Sequence, residues 1–211
     1  MTRLVHLRTW LRSLAGRGWR DDRAAQLVEF AVSLPLLVVF VVGIFDFSNA
    51  FTLKQKLTNI ARDASRVAAA DPANDLQSYS TVAPASVIDA FLDVDNYLIA
   101  NNINDCGIST RTPSTGPLPL MWTYTASGNG CPTGGLTITV NRGYYFPPTG
   151  ATLPSVTCTS QSPGGQTAVI GTCVSIQYAY PWRFGKVTSL LGRTASLPTQ
   201  VTAAAVAMNE N

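Results

Sequence analysis

Apolar residues are distributed along this chain in three distinct patterns. From Leu27 to Phe45 they run almost unbroken, LVEFAVSLPLLVVFVVGIF, with Glu29 the single ionisable group in nineteen residues. At ~1.5 Å per residue such a helix is roughly 28 Å long, the thickness of a bilayer's hydrocarbon core, so Leu27 and Phe45 mark the ends of an expected transmembrane segment. The second pattern is periodic. Ala50, Leu53, Leu57, Ile60, Ala64 and Val67 recur at a 3-4-3-4-3 spacing that keeps one helical face apolar as far as Ala70. One helix is therefore expected over 25–70, half in lipid and half projecting from it. Pro35 is its internal breaker, tolerated in lipid with a kink where neighbours or Ser33 satisfy the freed carbonyl. The third pattern is mixed. Val87, Phe91, Val94 and Leu98 predict a helix from Ser86 to Leu98, capped by Ser86, with Asp89 and Asp93 on its polar side. Leu136 to Val140 and Val174 to Tyr178 alternate as strands do; a short helix is expected over Phe184 to Leu191 and a last strand over Thr199 to Met208. Residues 111–135, rich in Pro and Gly, read as loop. The sum is an α+β chain: an N-terminal transmembrane helix continuing as a long stem, packed with a small antiparallel sheet and one or two short helices.

Charge gives this pattern an orientation. Arg3, Arg8, Arg12, Arg17, Arg20 and Arg23 face only Asp21 and Asp22 in residues 1–24, while the remaining chain balances nine cations against ten acids. The positive-inside rule then places residues 1–24 in the cytoplasm as a basic leader, 25–70 as membrane and stem helix, and 71–211 on the exported side of the inner membrane. Leu4, Leu7, Leu11 and Leu14 would let the leader lie on an anionic leaflet; a simply solvated leader fits as well. The near-neutral remainder lacks the clustered cations that nucleic-acid binding needs. A cleaved secretory signal is the rival for the apolar run, with Ser48-Asn49-Ala50 supplying small residues at the cut. Cleavage there would discard half of the predicted helix, and the run is longer than a signal's usual ~7 to 15 apolar residues.

A carboxylate near the start of a membrane helix costs up to a few kcal/mol at depth and calls for a partner, for the headgroups, or for the positive end of the helix dipole, worth ~0.3 to 1 kcal/mol. The residues around Glu29 are distinctive. Arg23-Ala24-Ala25-Gln26-Leu27-Val28-Glu29-Phe30-Ala31, then Leu34-Pro35-Leu36-Leu37, Gly43-Ile44-Phe45-Asp46-Phe47 and Ala61-Arg62-Asp63-Ala64-Ser65-Arg66-Val67-Ala68 resemble the N-terminal signature of the TadE-like family. These are minor pseudopilins of tight-adherence (Flp, type IVc) pilus systems. The resemblance implies a non-enzymatic role in pilus assembly at the bacterial inner membrane. It also implies partners: the lipid bilayer, other pilin or pseudopilin stems, the pilus assembly platform, and a prepilin peptidase cutting between Ala24 and Ala25. The residue before that cut is Ala24 where the family has Gly. A cut there would make Glu29 the fifth residue of the mature chain and the carboxylate partner of a new α-amino group. A membrane-anchored binding or adhesion module is the alternative reading. The small residues Ala61, Ala64, Ser65 and Ala68 would permit close approach of another helix.

Cys106, Cys131, Cys158 and Cys173 all follow the membrane segment. Four cysteines in an oxidising compartment read as two disulfides, with three connectivities open. The turn signal Ser162-Pro163-Gly164-Gly165 would fold a hairpin setting Cys158 opposite Cys173, leaving Cys106 for Cys131; each closed loop stabilises by ~3 kcal/mol on the chain-entropy model. No metal site is expected, because the spacings hold no Cys-x2-Cys pair and the single His, His6, lies in the leader. The same inventory removes the base that a serine or cysteine hydrolase needs, and no cofactor motif is present. Asp89 with Asp93 could form a glycosidase-like pair. Asp93, Asp95, Asn101, Asn102, Asn104 and Asp105 could form a calcium-binding patch, although a solvated polar face accounts for both. Tyr144, Tyr145, Tyr178, Tyr180 and Trp182 are read as core aromatics, with an exposed aromatic patch as the alternative.

Overall fold

A computed structural model describes residues 22–78, 82–116, 119–145, 158–159, 170–183 and 197–209. The leader, the turn expected near Gly165 and the helix expected over 184–191 lie outside them. Helix α1, Asp22–Ala70, is 49 residues long and continuous through Pro35. It contributes to two compact units, residues 1–47 with 183–195, and residues 48–182 with 196–211.

In the first unit the α1 side chains from Ala25 onward are nearly all exposed. Leu27 is 69% and Phe45 67% accessible, and an 18-residue window of mean hydropathy 2.6 is only 6% buried. A helix that is apolar on every side and covered by so little protein has lipid as its natural solvent.

The second unit is α+β. Five strands form an antiparallel meander in the order β1-β2-β3-β4-β5: β1 (Ser114–Thr115), β2 (Met121–Ala126), β3 (Leu136–Tyr145), β4 (Ile170–Ala179) and β5 (Gln200–Met208). Pairing register builds one apolar face in rows: Trp122, Val140, Val174 and Ala205; Tyr124, Ile138, Ile176 and Ala203; Ala126, Leu136, Tyr178 and Val201. The opposite face carries Thr123, Thr139 and Ser175, as the two-residue alternation of strands requires. Onto the apolar face pack Leu57, Ile60, Ala61, Ala64 and Ala68 of α1, and Val87, Ala90, Phe91, Val94 and Leu98 of α2 (Ala85–Ala100). Phe91 stacks on Tyr124 with ring centroids 4.0 Å apart. Burial pushes the Tyr124 phenol up to about 12.

Two local expectations need correction. Residues 111–135 are not all loop, because β2 crosses them. Its Trp122, Tyr124 and Ala126 point inward between Thr123 and Thr125, and the chain reaches β3 through a turn in which Gly135 has φ +64° and leaves no room for a Cβ against the Ala126 carbonyl. Nor does Ser86 cap α2. Pro84 holds the cap position, the Ser86 hydroxyl is buried without a hydrogen-bond partner among the described residues, and its backbone N–H donates instead to Asp75 Oδ2 at 3.0 Å. The capping oxygen thus comes from the 3-10 turn Ala73–Ser78, eleven residues upstream.

Disulfides join Cys106 to Cys131 and Cys158 to Cys173, with Cα atoms 5.2 and 5.5 Å apart. The first belongs to the core beneath the helices. The second packs with Tyr144 at the other face of the sheet.

Candidate functional site: the apolar helix and the polar groups at its ends

Glu29 is exposed in the second turn of α1, among exposed Leu27, Val28 and Phe30. Ala24 and Ala25 lie within the first turn, and Ala25 is exposed. Ser33 Oγ donates to the Phe30 carbonyl at 3.1 Å. That differs from the expected role, since the carbonyl that Pro35 deprives of its helical donor is Ala31's, one residue further on.

At the far end of the apolar run the picture changes. Gly43 and Asp46 are buried, whereas Ile44, Phe45 and Phe47 are exposed. Asp46 Oδ2 accepts a hydrogen bond of 2.8 Å from the backbone N–H of Arg183, 137 residues away in sequence. No local pattern announces this pairing.

The stripe expected to receive another helix is already occupied. Ala61, Ala64, Ser65 and Ala68 are each 1% exposed or less, and the three alanines belong to the core of the chain's own domain. Val67, expected on the buried face, is instead 39% exposed, because a straight helix at 3.6 residues per turn carries the seam to Ala68. The outer side of this half carries Lys54, Arg62, Asp63 and Arg66. A shallow polar groove of about 410 Å³ runs between it and Tyr97 of α2, lined also by Asn59. Lys54 Nζ donates to the Thr202 carbonyl of β5, and Lys56 Nζ to that of Asn101 at 3.5 Å.

Where α1 ends, a buried cation organises the surrounding elements. A bulge in β3 between Asn141 and Tyr144 turns Arg142, wholly buried, toward the Asp71 carbonyl, 3.1 Å from Nη2. Nη2 also lies 3.9 Å from Asp75 Oδ1, and Nη1 donates to Thr172 Oγ1 at 3.5 Å. Thr172 in turn donates to Asn209 Oδ1 at 2.7 Å. Burial draws the Arg142 guanidinium below its ordinary range, against the pull of Asp75 and Asp71. Asp71 is raised, first by burial and then by Asp89. This arrangement holds charge for structure: it ties the end of α1, the turn bearing Asp75, and strands β3 and β4 at one point, with Asn209 beyond β5 joined through Thr172.

The acidic candidates on α2 are separated by burial. Asp89 is exposed, Asp93 half-buried and Asp95 only 5% exposed. Burial raises both Asp93 and Asp95, helped by Asp63 for the first and Asp105 for the second. Two of the three amides of the expected calcium patch are engaged with the backbone. Asn104 Oδ1 accepts from the Cys106 N–H and its Nδ2 donates to the Asn129 carbonyl, both at 2.8 Å; Asn101 Nδ2 donates to the Tyr97 carbonyl at 3.0 Å. Among the described residues no group of three or more His, Cys, Asp or Glu is placed to hold a metal ion. Tyr144 and Tyr178 are core, while Tyr145, Tyr180 and Trp182 are half-buried, Trp182 donating its indole N–H to the Pro198 carbonyl.

The fold thus defines a class: an α+β chain with, among the described residues, one N-terminal helix long and apolar enough to cross a membrane. Within the same helix, residues 24–66 match the family model of TadE-like proteins. Among the described residues, this one apolar helix fits a single-pass membrane anchor. No curated protein and no solved structure matches the chain.

Proposed function

We propose that this chain is a minor pseudopilin-like component of tight-adherence pilus assembly, anchored once in the bacterial inner membrane with residues 1–24 cytoplasmic and the disulfide-bonded domain outside, and acting by helix packing and protein docking. The observation that carries this reading is the coincidence of the TadE-like match with one unbroken helix whose membrane half has its side chains free. Because Ala61, Ala64, Ser65 and Ala68 are consumed internally, contact with other pilin stems falls to residues 27–45, where van der Waals packing and hydrogen bonds drive association in lipid. Glu29 is the polar element of that contact. After a cut between Ala24 and Ala25 by a prepilin peptidase it pairs with the new α-amino group, in its own chain or in a neighbouring subunit, since an ammonium at the edge of the apolar phase needs a counter-charge.

The test is a Glu29→Ala strain. Piliation falls while the protein's abundance and its extraction with membranes stay unchanged, and mass spectrometry of the extracted wild-type chain finds Ala25 at the N-terminus. Normal pili in that strain, with Met1 still present in the wild type, sink the proposed role.

A further inference from the structure

The exit of the apolar run is marked by Phe45 and Phe47, both exposed, with buried Asp46 between them. The apolar run closes here, so residues 45–47 lie where the span meets the headgroups. An ionisable carboxylate in that position is stable only when turned away from lipid and hydrogen-bonded, and Asp46, 4% exposed, is so placed by the Arg183 N–H at 2.8 Å. That bond fixes a height. A backbone atom within hydrogen-bond distance of Asp46 lies within one side-chain length of the lipid boundary, and the chain reaches this point immediately after β4.

We propose that Arg183 marks a second membrane contact, in which Asp46 tethers the polypeptide at the boundary and the exposed Arg183 guanidinium engages phospholipid phosphate in the leaflet at the Asp46 end of the span. The inference rests on residues 27–45 being the membrane span. The chemistry of the contact is set by charge and reach. The Arg183 side chain is exposed, its aliphatic stem suits the apolar edge of the interface, and its planar fork pairs with phosphate oxygens. Asp46 is a positioning residue here, holding the chain at the boundary through a backbone bond.

The experiment uses the full chain, with its disulfides oxidised, in phosphatidylethanolamine–phosphatidylglycerol vesicles, carrying a fluorophore on Arg183→Cys or, as control, Val38→Cys. Lipids bear a nitroxide either on the headgroup or midway along the acyl chain. The label at 183 is quenched by the headgroup nitroxide and that at 38 by the mid-chain nitroxide. Asp46→Ala abolishes quenching at 183, whereas Asp46→Asn, whose amide oxygen still accepts the N–H, retains it. Absent quenching at 38 overturns the membrane anchor itself. Quenching at 38 without quenching at 183 overturns the second contact alone, and means that Arg183 faces protein or water. Quenching at 183 that survives Asp46→Ala removes the tethering role.

Discussion

The two halves of α1 are one continuous helix in two solvents. Before Phe47 the helix is apolar all round and leaves its side chains uncovered; after Ser48 it is amphipathic and buries Leu57, Ile60, Ala61, Ala64 and Ala68 in a protein core. The same backbone bonds run through both halves, so the difference lies in what each side chain is transferred into. Between Leu27 and Phe45 burial waits for lipid or for another helix. From Leu57 onward it is complete within the chain. The lesson concerns assembly: a small-residue stripe is a docking site only where the chain's own domain has left it open.

The widest separation between the halves is expected from Arg142→Ala. It leaves Asp75 and the Asp71 carbonyl facing an emptied, buried site, and loss of one partner from a buried charged network typically costs about 3 to 5 kcal/mol. Chemical denaturation of the detergent-solubilised chain, followed by Trp122 fluorescence, should register that loss, while extraction with membranes is unaltered. If the denaturation midpoint does not move, Arg142 does not clasp these elements together. Cys158→Ala with Cys173→Ala comes next. Freeing the loop between these residues should lower stability by about 3 kcal/mol on the chain-entropy model, again without effect on membrane association.

A matched pair of truncations compares the solvents directly. Leu57, wholly buried, is expected to cost about 2 to 5 kcal/mol as Leu57→Ala, because the site loses transfer energy and gains a cavity. Leu37, 61% exposed, removes a side chain of the same size from the other half. Leu37→Ala should leave the domain's denaturation midpoint in place and weaken membrane insertion by under about 1 kcal/mol. Equal losses of domain stability from the two variants would mean that residues 27–45 are buried against protein.

Much of this architecture was legible because it is written in local periodicity. The apolar run, the 3-4 spacing after Ala50, the helix over Ala85–Ala100 and the strands around Val140, Ile176 and Ala203 each declare themselves within a few turns. Strand β2 was hidden because Pro113, Pro117, Pro119 and the glycines on both sides of it dominate the window. The inward Trp122, Tyr124 and Ala126 alternating with threonines are the signal that finds it. What stayed illegible is long-range. A lone arginine in a strand reads as solvent-facing until a bulge turns Arg142 toward Asp71, 71 residues away. The bond from Arg183 to Asp46 spans 137 residues. The cap of α2 failed for the same reason, since its oxygen belongs to Asp75.

The smallest effect sharpens the comparison through pH. Burial in the protein half raises Asp71, Asp93 and Asp95 above the ordinary carboxylate value of 3.8. A carboxyl whose folded pKa lies above its unfolded pKa binds more protons folded than unfolded. It therefore loses stability as pH rises from 3.8 through the raised value, and the loss is complete only above that value. Asp95 is the cleanest case, being 5% exposed with Oδ1 lacking a hydrogen-bond partner among the described residues. Asp95→Asn keeps the volume and removes the charge. Its denaturation midpoint should exceed that of the wild type at neutral pH, and the two should converge as pH falls toward 3.8. Membrane extraction should be indifferent to the substitution, because Asp95 lies in the half whose solvent is protein. A variant less stable than the wild type at neutral pH would show that the Asp95 carboxylate makes a favourable contact in its charged form, and the sign of its contribution would be reversed.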